Sequence, residues 1–312
     1  MNERSAFKKG VTKLWSPIKS FFERYRRQSF AYPYVLWMAV FVVVPIILIG
    51  VYAFSSAEGG FTLNNFSGIT SYIPVFGRSL WLAFVATFVC LLIGYPVALA
   101  ISRMSPKAQR IMLMLIMLPM WINFLLRTYA WMSLLENTGL LNRLFSAVGL
   151  IDLVNIIGAY FNPNYVPITH FQMINTNGAV VLGMVYNYLP FMILPIQSVI
   201  VKIDPFVIEA AEDLGANSRK VFRKVIFPLS LSGVISGITM VFVPAVSTFV
   251  ISKLLSSGKI MLLGDLIEMQ FTGAAYNPQL GSAISLIMMA IVVICMSVMN
   301  RFGEGEDKAV VM

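Results

Sequence analysis

Hydrophobic residues along this chain come in long unbroken blocks, not in the alternation of apolar and polar positions that marks half-buried elements. Six blocks, at residues 34–54, 79–102, 109–132, 179–201, 228–252 and 281–300, each reach the length of about 20 residues that a helix needs to cross a ~30 Å hydrocarbon core. Inside such a core every backbone N–H and C=O must be satisfied within its own segment, which leaves the helix as the element for blocks of this length. The pattern therefore predicts an all-α polytopic membrane protein with six transmembrane helices. A seventh apolar stretch at 144–162 contains Asp152 and Asn155. We read 133–178 as an external excursion, with a short helix or two dipped into the bilayer or packed on a pore mouth.

The charges decide the orientation. With the N-terminus cytoplasmic, only Arg78, Arg127, Arg143, Lys253 and Lys259 of the 23 basic residues fall on the outer side, as the excess of Lys and Arg in cytoplasmic segments requires. A seventh span would move the cluster Arg219, Lys220, Arg223 and Lys224 outside. Six spans with both termini cytoplasmic fit, dividing the chain into a basic segment 1–33, a membrane domain 34–300 and a tail 301–312. In the basic segment, Trp15, Ile18, Phe21 and Phe22 are spaced for an interfacial amphipathic helix. A solvated tail that only fixes orientation is the equal alternative.

Composition agrees: 58% of residues are hydrophobic and 12% charged, against about 25% charged in soluble domains. Cys90 and Cys295 lie inside apolar blocks, too few for a disulfide framework or metal site, and the single His170 reads as a bystander. The net charge of +9 is topological and does not point to nucleic acid.

One long polar block separates two greasy ones, at 204–228. Asp204 followed by Pro205 reads as an N-cap with proline at the first helical position. Glu209, Glu212 and Asp213 share one face, while Val207, Ala210, Ala211 and Leu214 share another. Gly215 suits the left-handed residue that ends a helix, and Asn217 or Ser218 can cap the next. There Arg219, Lys220, Arg223 and Lys224 face one way and Phe222, Val225 and Ile226 the other. A short helix, a tight turn and a second helix lying along a membrane is the expectation.

Glu209-Ala210-Ala211, Gly215 six positions after the Glu, and Val225, Phe227 and Pro228 resemble the EAA loop of permease subunits in binding-protein-dependent ABC importers; here Val-Ile-Phe-Pro stands where the usual pattern ends Ile-x-Leu-Pro. The resemblance extends over about 34–300. Leu118 to Trp131, Gly139-Leu140-Leu141-Asn142, Tyr188 to Pro195 and Gly94-Tyr95-Pro96 are similar to stretches of spermidine/putrescine permeases of the PotB type. It implies a type I ABC importer permease fold in a bacterial inner membrane, and a second homologous permease subunit. It also implies an extracytoplasmic polyamine-binding protein and ABC ATPase subunits that carry the ATP and Mg, with no cofactor bound by this chain. Glu209, Ala210, Ala211 and Gly215 match the signature and would transmit ATPase motion, with Ala216, Asn217 and Ser218 at the tip of the contact. The neighbouring basic residues would meet either the ATPase or anionic lipid.

The residues themselves add two constraints. No Asp or Glu lies within the six blocks, and no Gly-x-x-x-x-Gly-Lys-Ser/Thr loop is present. The carboxylate version of an ion-coupled carrier is thus missing, as is a phosphate loop for ATP hydrolysis, so the chain is not expected to be an enzyme. Prolines interrupt the blocks, and Pro244, with Ser247 at membrane depth, reads either as part of a translocation path or as a packing kink. For a polyamine, Trp121, Tyr129, Tyr186 and Tyr188 could offer cation–π faces, and Asp265 and Glu268 carboxylates; rings at span ends equally form an interfacial belt. Related permeases for thiamine, ferric iron and aminoethylphosphonate share parts of these motifs, and a self-sufficient channel or ion-coupled carrier is the alternative from another class.

Overall fold

The computed structural model describes residues 32–56, 59–162, 165–273 and 275–307. Residues 1–31, which hold the interfacial helix considered around Trp15 to Phe22, lie outside them. The described chain is all-helical, with one isolated bridge between Ser55 and Phe61. In order, the helices are α1 (Pro33–Ala53), α2 (Ile73–Ser102), α3 (Pro106–Trp121), α4 (Phe124–Leu135), α5 (Leu140–Ala147), α6 (Leu150–Phe161) and α7 (Asn177–Ile200). There follow α8 (Pro205–Asp213), α9 (Ser218–Leu229), α10 (Leu231–Ser247), α11 (Val250–Leu255), α12 (Leu263–Thr272) and α13 (Pro278–Asp307).

Four helical stretches are long and apolar enough to cross a membrane, namely α1, α2 with its preceding turns, α7 and α13. Two bent pairs raise the number to six if each is one span: α3 with the α4–α5 stretch, bent by 87°, and α9 with α10, bent by 60°. The block at 109–132 is therefore not one straight helix. Pro119 sits in the last turn of α3, and the Asn123 side chain accepts the Leu125 N–H at 2.8 Å, starting α4 in a new direction. Hydropathy hides this break because Ile122, the extended residue at the corner, is itself apolar. The block at 228–252 is interrupted as well: α10 ends at Ser247, Thr248 is extended, and α11 starts at Val250.

The packing centre is α7, which lies against α2 on one side and α10 on the other. Between apolar helices in lipid, close backbone approach supplies the van der Waals contact that a hydrophobic driving force supplies in water. Met192 of α7 is completely buried in that sandwich. A Cβ on Gly94 of α2 would stand 2.9 Å from Met192 Cγ, and one on Gly237 of α10 would stand 2.8 Å from its sulfur. A turn away, a Cβ on Gly233 would meet the Pro195 carbonyl oxygen at 2.9 Å. The glycines thus remove volume where the three helices touch. At the edge of this bundle α1 leans on α13, while α11 bridges α4 and α7.

The segment 133–178 folds on itself through two asparagines. Asn142 on α5 accepts the Phe171 N–H (2.9 Å) and donates to the Phe171 carbonyl (3.0 Å). Asn155 on α6 accepts from the N–H and donates to the carbonyl of Ile168, at 2.8 and 2.9 Å. An amide side chain, with donor and acceptor side by side, imitates a backbone partner here and pins the returning chain to both helices. His170 pairs its Nδ1 with the neighbouring Thr169 hydroxyl at 3.0 Å.

Because the Gly233 contact is with backbone, which cannot swing away, Gly233→Ala should lower stability by about 1–3 kcal/mol, the usual cost of overpacking. Gly50→Ala, with nothing within 4 Å of its added Cβ, should not. Thermal melts of the detergent-solubilised protein followed by size-exclusion fluorescence separate the two, and equal melting points would refute the tight-contact account.

Candidate functional site

The polar block forms a helix pair whose every boundary is written locally. The Asp204 carboxylate accepts the Phe206 N–H at 3.0 Å, and Pro205 opens α8. At the other end Gly215 adopts φ +81°, with its N–H on the Glu212 carbonyl (2.8 Å) and the Ala216 N–H on the Ala211 carbonyl (3.1 Å). This left-handed closure satisfies carbonyls that a helix end leaves open. Asn217 then caps α9, its side chain accepting the Lys220 N–H at 3.0 Å. Glu209, Ala210, Asn217 and Ser218 are exposed, whereas Ala211 and Ala216 are half-buried where α8 folds back against α9.

The apolar face of α8 is only partly used within the chain. Ile208 and Ala211 turn inward, but Phe206 is 74% exposed and Leu214 89% exposed. Beside them Ala211, Gly215, Ala216, Lys220 and Lys224 line a cleft of about 370 Å³. An acidic helix, a basic helix, two projecting apolar side chains and a shallow cleft together make a surface fitted for another protein.

How this surface connects to the bundle is something sequence reasoning missed. Helix α9 relaxes into a π-turn at Phe222–Ile226 and meets α10 at a 60° elbow on Ser230, which is fully buried. The Ser230 hydroxyl donates to the Phe227 carbonyl at 2.9 Å, and Tyr95 of α2 bonds Ser230 Oγ at 2.8 Å. The Tyr95 ring packs edge-on to Phe222 (centroids 5.8 Å apart) and tilted against Phe227 (5.8 Å). Tyr95 sits in Gly94-Tyr95-Pro96, a signal that was visible as motif but not as contact.

The remaining candidates divide into four places. Trp121, 70% exposed, ends α3 at the 87° corner, and Tyr129, 48% exposed, lies on α4 beyond it. Tyr188 of α7 and Pro244 of α10 come together, the tyrosine hydroxyl reaching the Pro244 carbonyl at 3.4 Å, while Ser247 Oγ bonds back to the Val243 carbonyl of its own helix at 3.2 Å. Tyr186 packs against Trp131 at 5.2 Å and lies 6.0 Å from the Arg127 guanidinium. Asp265 and Glu268 share α12, but neither is a free carboxylate: Lys253 holds both Glu268 oxygens at 3.1 Å, and Asp265 accepts the Leu262 N–H at 2.9 Å. The other Asp265 oxygen is buried without a partner. Burial pushes the Asp265 carboxyl up from its ordinary value, against the opposing pull of the nearby Ser252 hydroxyl, the Leu262 N–H and Lys253.

Comparison with known proteins places this geometry. Residues 90–304 match the family described as binding-protein-dependent transport system inner membrane component. The chain is 35% identical to the spermidine/putrescine transport system permease protein PotB of Haemophilus influenzae, over 82% of this chain and 88% of that one. It is 32% identical to the PotB of Escherichia coli, over 88% and 96%. Among solved structures it resembles a bacterial ABC transporter involved in the import of the acidic polysaccharide alginate, with a TM-score of 0.74 at 15% identity over 94% of this chain and 98% of that one. A second likeness is to the MetNI methionine ABC transporter in inward-facing conformations, with a TM-score of 0.51 at 18% identity over 75% and 95%.

Two outcomes follow from the geometry. Tyr95→Ala should cost about 3–5 kcal/mol by emptying the space between Phe222 and Phe227, and Tyr95→Phe only about 0.5–1.5 kcal/mol for the lost hydrogen bond. Limited proteolysis within 204–228, compared with the whole-protein melting point, reads whether the elbow loosens first; unchanged cleavage in Tyr95→Ala would refute the anchor. For Asp265, a carboxyl raised in the folded state favours folding most below its ordinary value of 3.8, and that contribution is lost as pH rises through the folded value. The melting point of wild type should therefore fall relative to Asp265→Asn as pH is raised from about 4 to 7, and parallel pH profiles would contradict it.

Proposed function

Because the chain belongs to the family of binding-protein-dependent transport system inner membrane components, we propose that it is one membrane subunit of an ATP-driven polyamine importer, with spermidine or putrescine as cargo. The observation that carries the cargo is the chain's likeness to PotB permeases across nearly their whole length. In this reading six spans cross the membrane, each bent pair counting as one, and both termini lie in the cytoplasm. A second, homologous permease completes the path, and an extracytoplasmic binding protein delivers the polyamine.

The energy enters at 204–228. Phe206 and Leu214 project from α8 as apolar anchors for a cleft on the ATPase, which holds the ATP and Mg. Glu209 meets a basic group or helix N-terminus there, Gly215 lets the backbone turn, and Ala216, Asn217 and Ser218 form the tip. Tilting α8 and α9 pulls on the Ser230 elbow, and through Tyr95 moves α2 together with α10. Motion at the cytoplasmic loop is thereby converted into relative movement of the helices around α7.

The path for the cation runs along the interrupted spans. Where α3 stops at Trp121 and α10 at Ser247, the closing turns have fewer backbone N–H partners than a continuous helix would give, although the Pro119 carbonyl still accepts the Ile122 N–H at 3.2 Å, and the helix dipole places partial negative charge there. Broken helices of this kind hold ions in other transporters through the same groups. A polyamine needs many weak acceptors in sequence, and carbonyl ends alternating with the faces of Tyr129, Tyr186 and Tyr188 provide them without a buried carboxylate. Asp265 and Glu268 act at the entrance, with Lys253 tempering their charge.

Uptake of labelled spermidine by cells expressing the whole system tests the reading. Wild type should accumulate it, unlabelled thiamine, iron chelates and aminoethylphosphonate should not compete, and Glu209→Arg and Gly215→Pro should each reduce uptake at least tenfold while the subunit remains in the membrane. Wild-type uptake by both variants would overturn the coupling role; competition by thiamine or a chelate would overturn the cargo. Liposomes containing this chain alone should pass no spermidine, whereas flow down a gradient would favour a self-sufficient channel.

A further inference from the structure

Arg127 is held in a way unlike the other basic residues among those described. It lies in the first turn of α4, just after the Asn123 cap, where the positive end of the helix dipole disfavours a cation. The ion pair among the described residues is Lys253–Glu268, so no carboxylate there offsets this. Its Nε and one terminal nitrogen are buried and have no hydrogen-bond partner. What does face the guanidinium is aromatic: the Phe124 ring at 5.9 Å and the Tyr186 ring at 6.0 Å. Tyr186 is in turn held edge-on by Trp131 at 5.2 Å.

Rings arranged around a cation in this way make a site for organic ammonium groups, because the quadrupole of each face attracts positive charge regardless of its source. A guanidinium anchored by two or three carboxylate bonds would be a structural fixture. One held only by ring faces, with buried donors unsatisfied, can be replaced at little loss, since leaving restores those donors to water or to backbone carbonyls. The site also stands where traffic is expected. α4 packs against both α7 and α11, beside the break that separates α10 from α11.

We infer that Phe124 and Tyr186, the latter held in place by Trp131, form a cation site of which Arg127 is the resident occupant, so that an organic ammonium group must displace the guanidinium to enter. The inference rests on the polyamine reading for its physiological ligand, but not for its physics. Arg127 then acts as a plug with the charge of the cargo: it keeps the site filled when no polyamine is present. It also excludes small inorganic cations, which gain less from ring faces than they lose in hydration.

The test uses the detergent-solubilised permease–ATPase complex without its binding protein, and equilibrium dialysis with labelled spermidine as a general polycation probe. Arg127→Gln should raise association about tenfold, equivalent to about 1.4 kcal/mol, while Arg127→Lys, which keeps a cation on the rings, should stay near wild type. Adding Tyr186→Leu to Arg127→Gln should abolish the gain. Equal binding by wild type and Arg127→Gln would overturn the inference, as would a gain in Arg127→Lys as large as that in Arg127→Gln. So would failure of Arg127→Gln, but not Arg127→Lys, to co-purify with its partner permease, since that result assigns the guanidinium to a carboxylate across the subunit interface. Spermidine uptake by wild-type cells is measured separately: its absence would defeat the polyamine reading, yet the dialysis result would still decide the aromatic site.

Discussion

Everything in the bundle depends on how closely α7 can approach its two neighbours. Met192 fills the space left by Gly94 on one side and Gly237 on the other, and in lipid that contact replaces the expulsion of water as the cause of association. Because all three helices are fixed at this level, a residue one turn further along each of them has a determined position. Tyr95 follows Gly94 directly, and Ser230 lies three residues before Gly233, so their hydrogen bond is a consequence of the same packing.

That bond makes the polar helix pair an extension of the membrane helices, and not a loop hung between them. Helices α8 and α9 are shaped by local chemistry, a cap at each start and a left-handed glycine between. Their attachment is tertiary: Phe222, which opens the π-turn, and Phe227, which follows it, both pack on the Tyr95 ring. The connection is packed on the side of the bundle, while Phe206 and Leu214 on α8 are left uncovered.

The interrupted helices are the second departure from a plain bundle. A continuous helix spends all its interior carbonyls on its own N–H groups and has nothing to offer a cation. Ending α3 at Trp121 and α10 at Ser247 leaves closing carbonyls that are met in part by side chains: the Tyr188 hydroxyl reaches the Pro244 carbonyl and Ser247 the Val243 carbonyl. Arg127 stands apart among the described basic residues, its guanidinium lying over the Phe124 and Tyr186 rings.

Sequence by itself determined the class and the local turns. Long apolar blocks leave helices as the only structure that satisfies their backbone in a membrane, so the all-helical, multi-pass character was legible from length and hydropathy. Asp204, Pro205, Gly215 and Asn217 act on atoms within four residues of themselves, so the helix pair could be read directly. Only the tertiary structure decided where the blocks at 109–132 and 228–252 break, because Ile122 and Thr248 are as compatible with a helix interior as with a corner until neighbouring helices fix the direction of the chain. It alone decided that Glu268 is bound to Lys253, that Tyr95 holds Ser230, and that Arg127 rests on Tyr186. Each pair joins two different helices, consecutive ones for Lys253 and Glu268 and distant ones for the other two, and hydropathy and spacing carry no information about which faces of those helices meet.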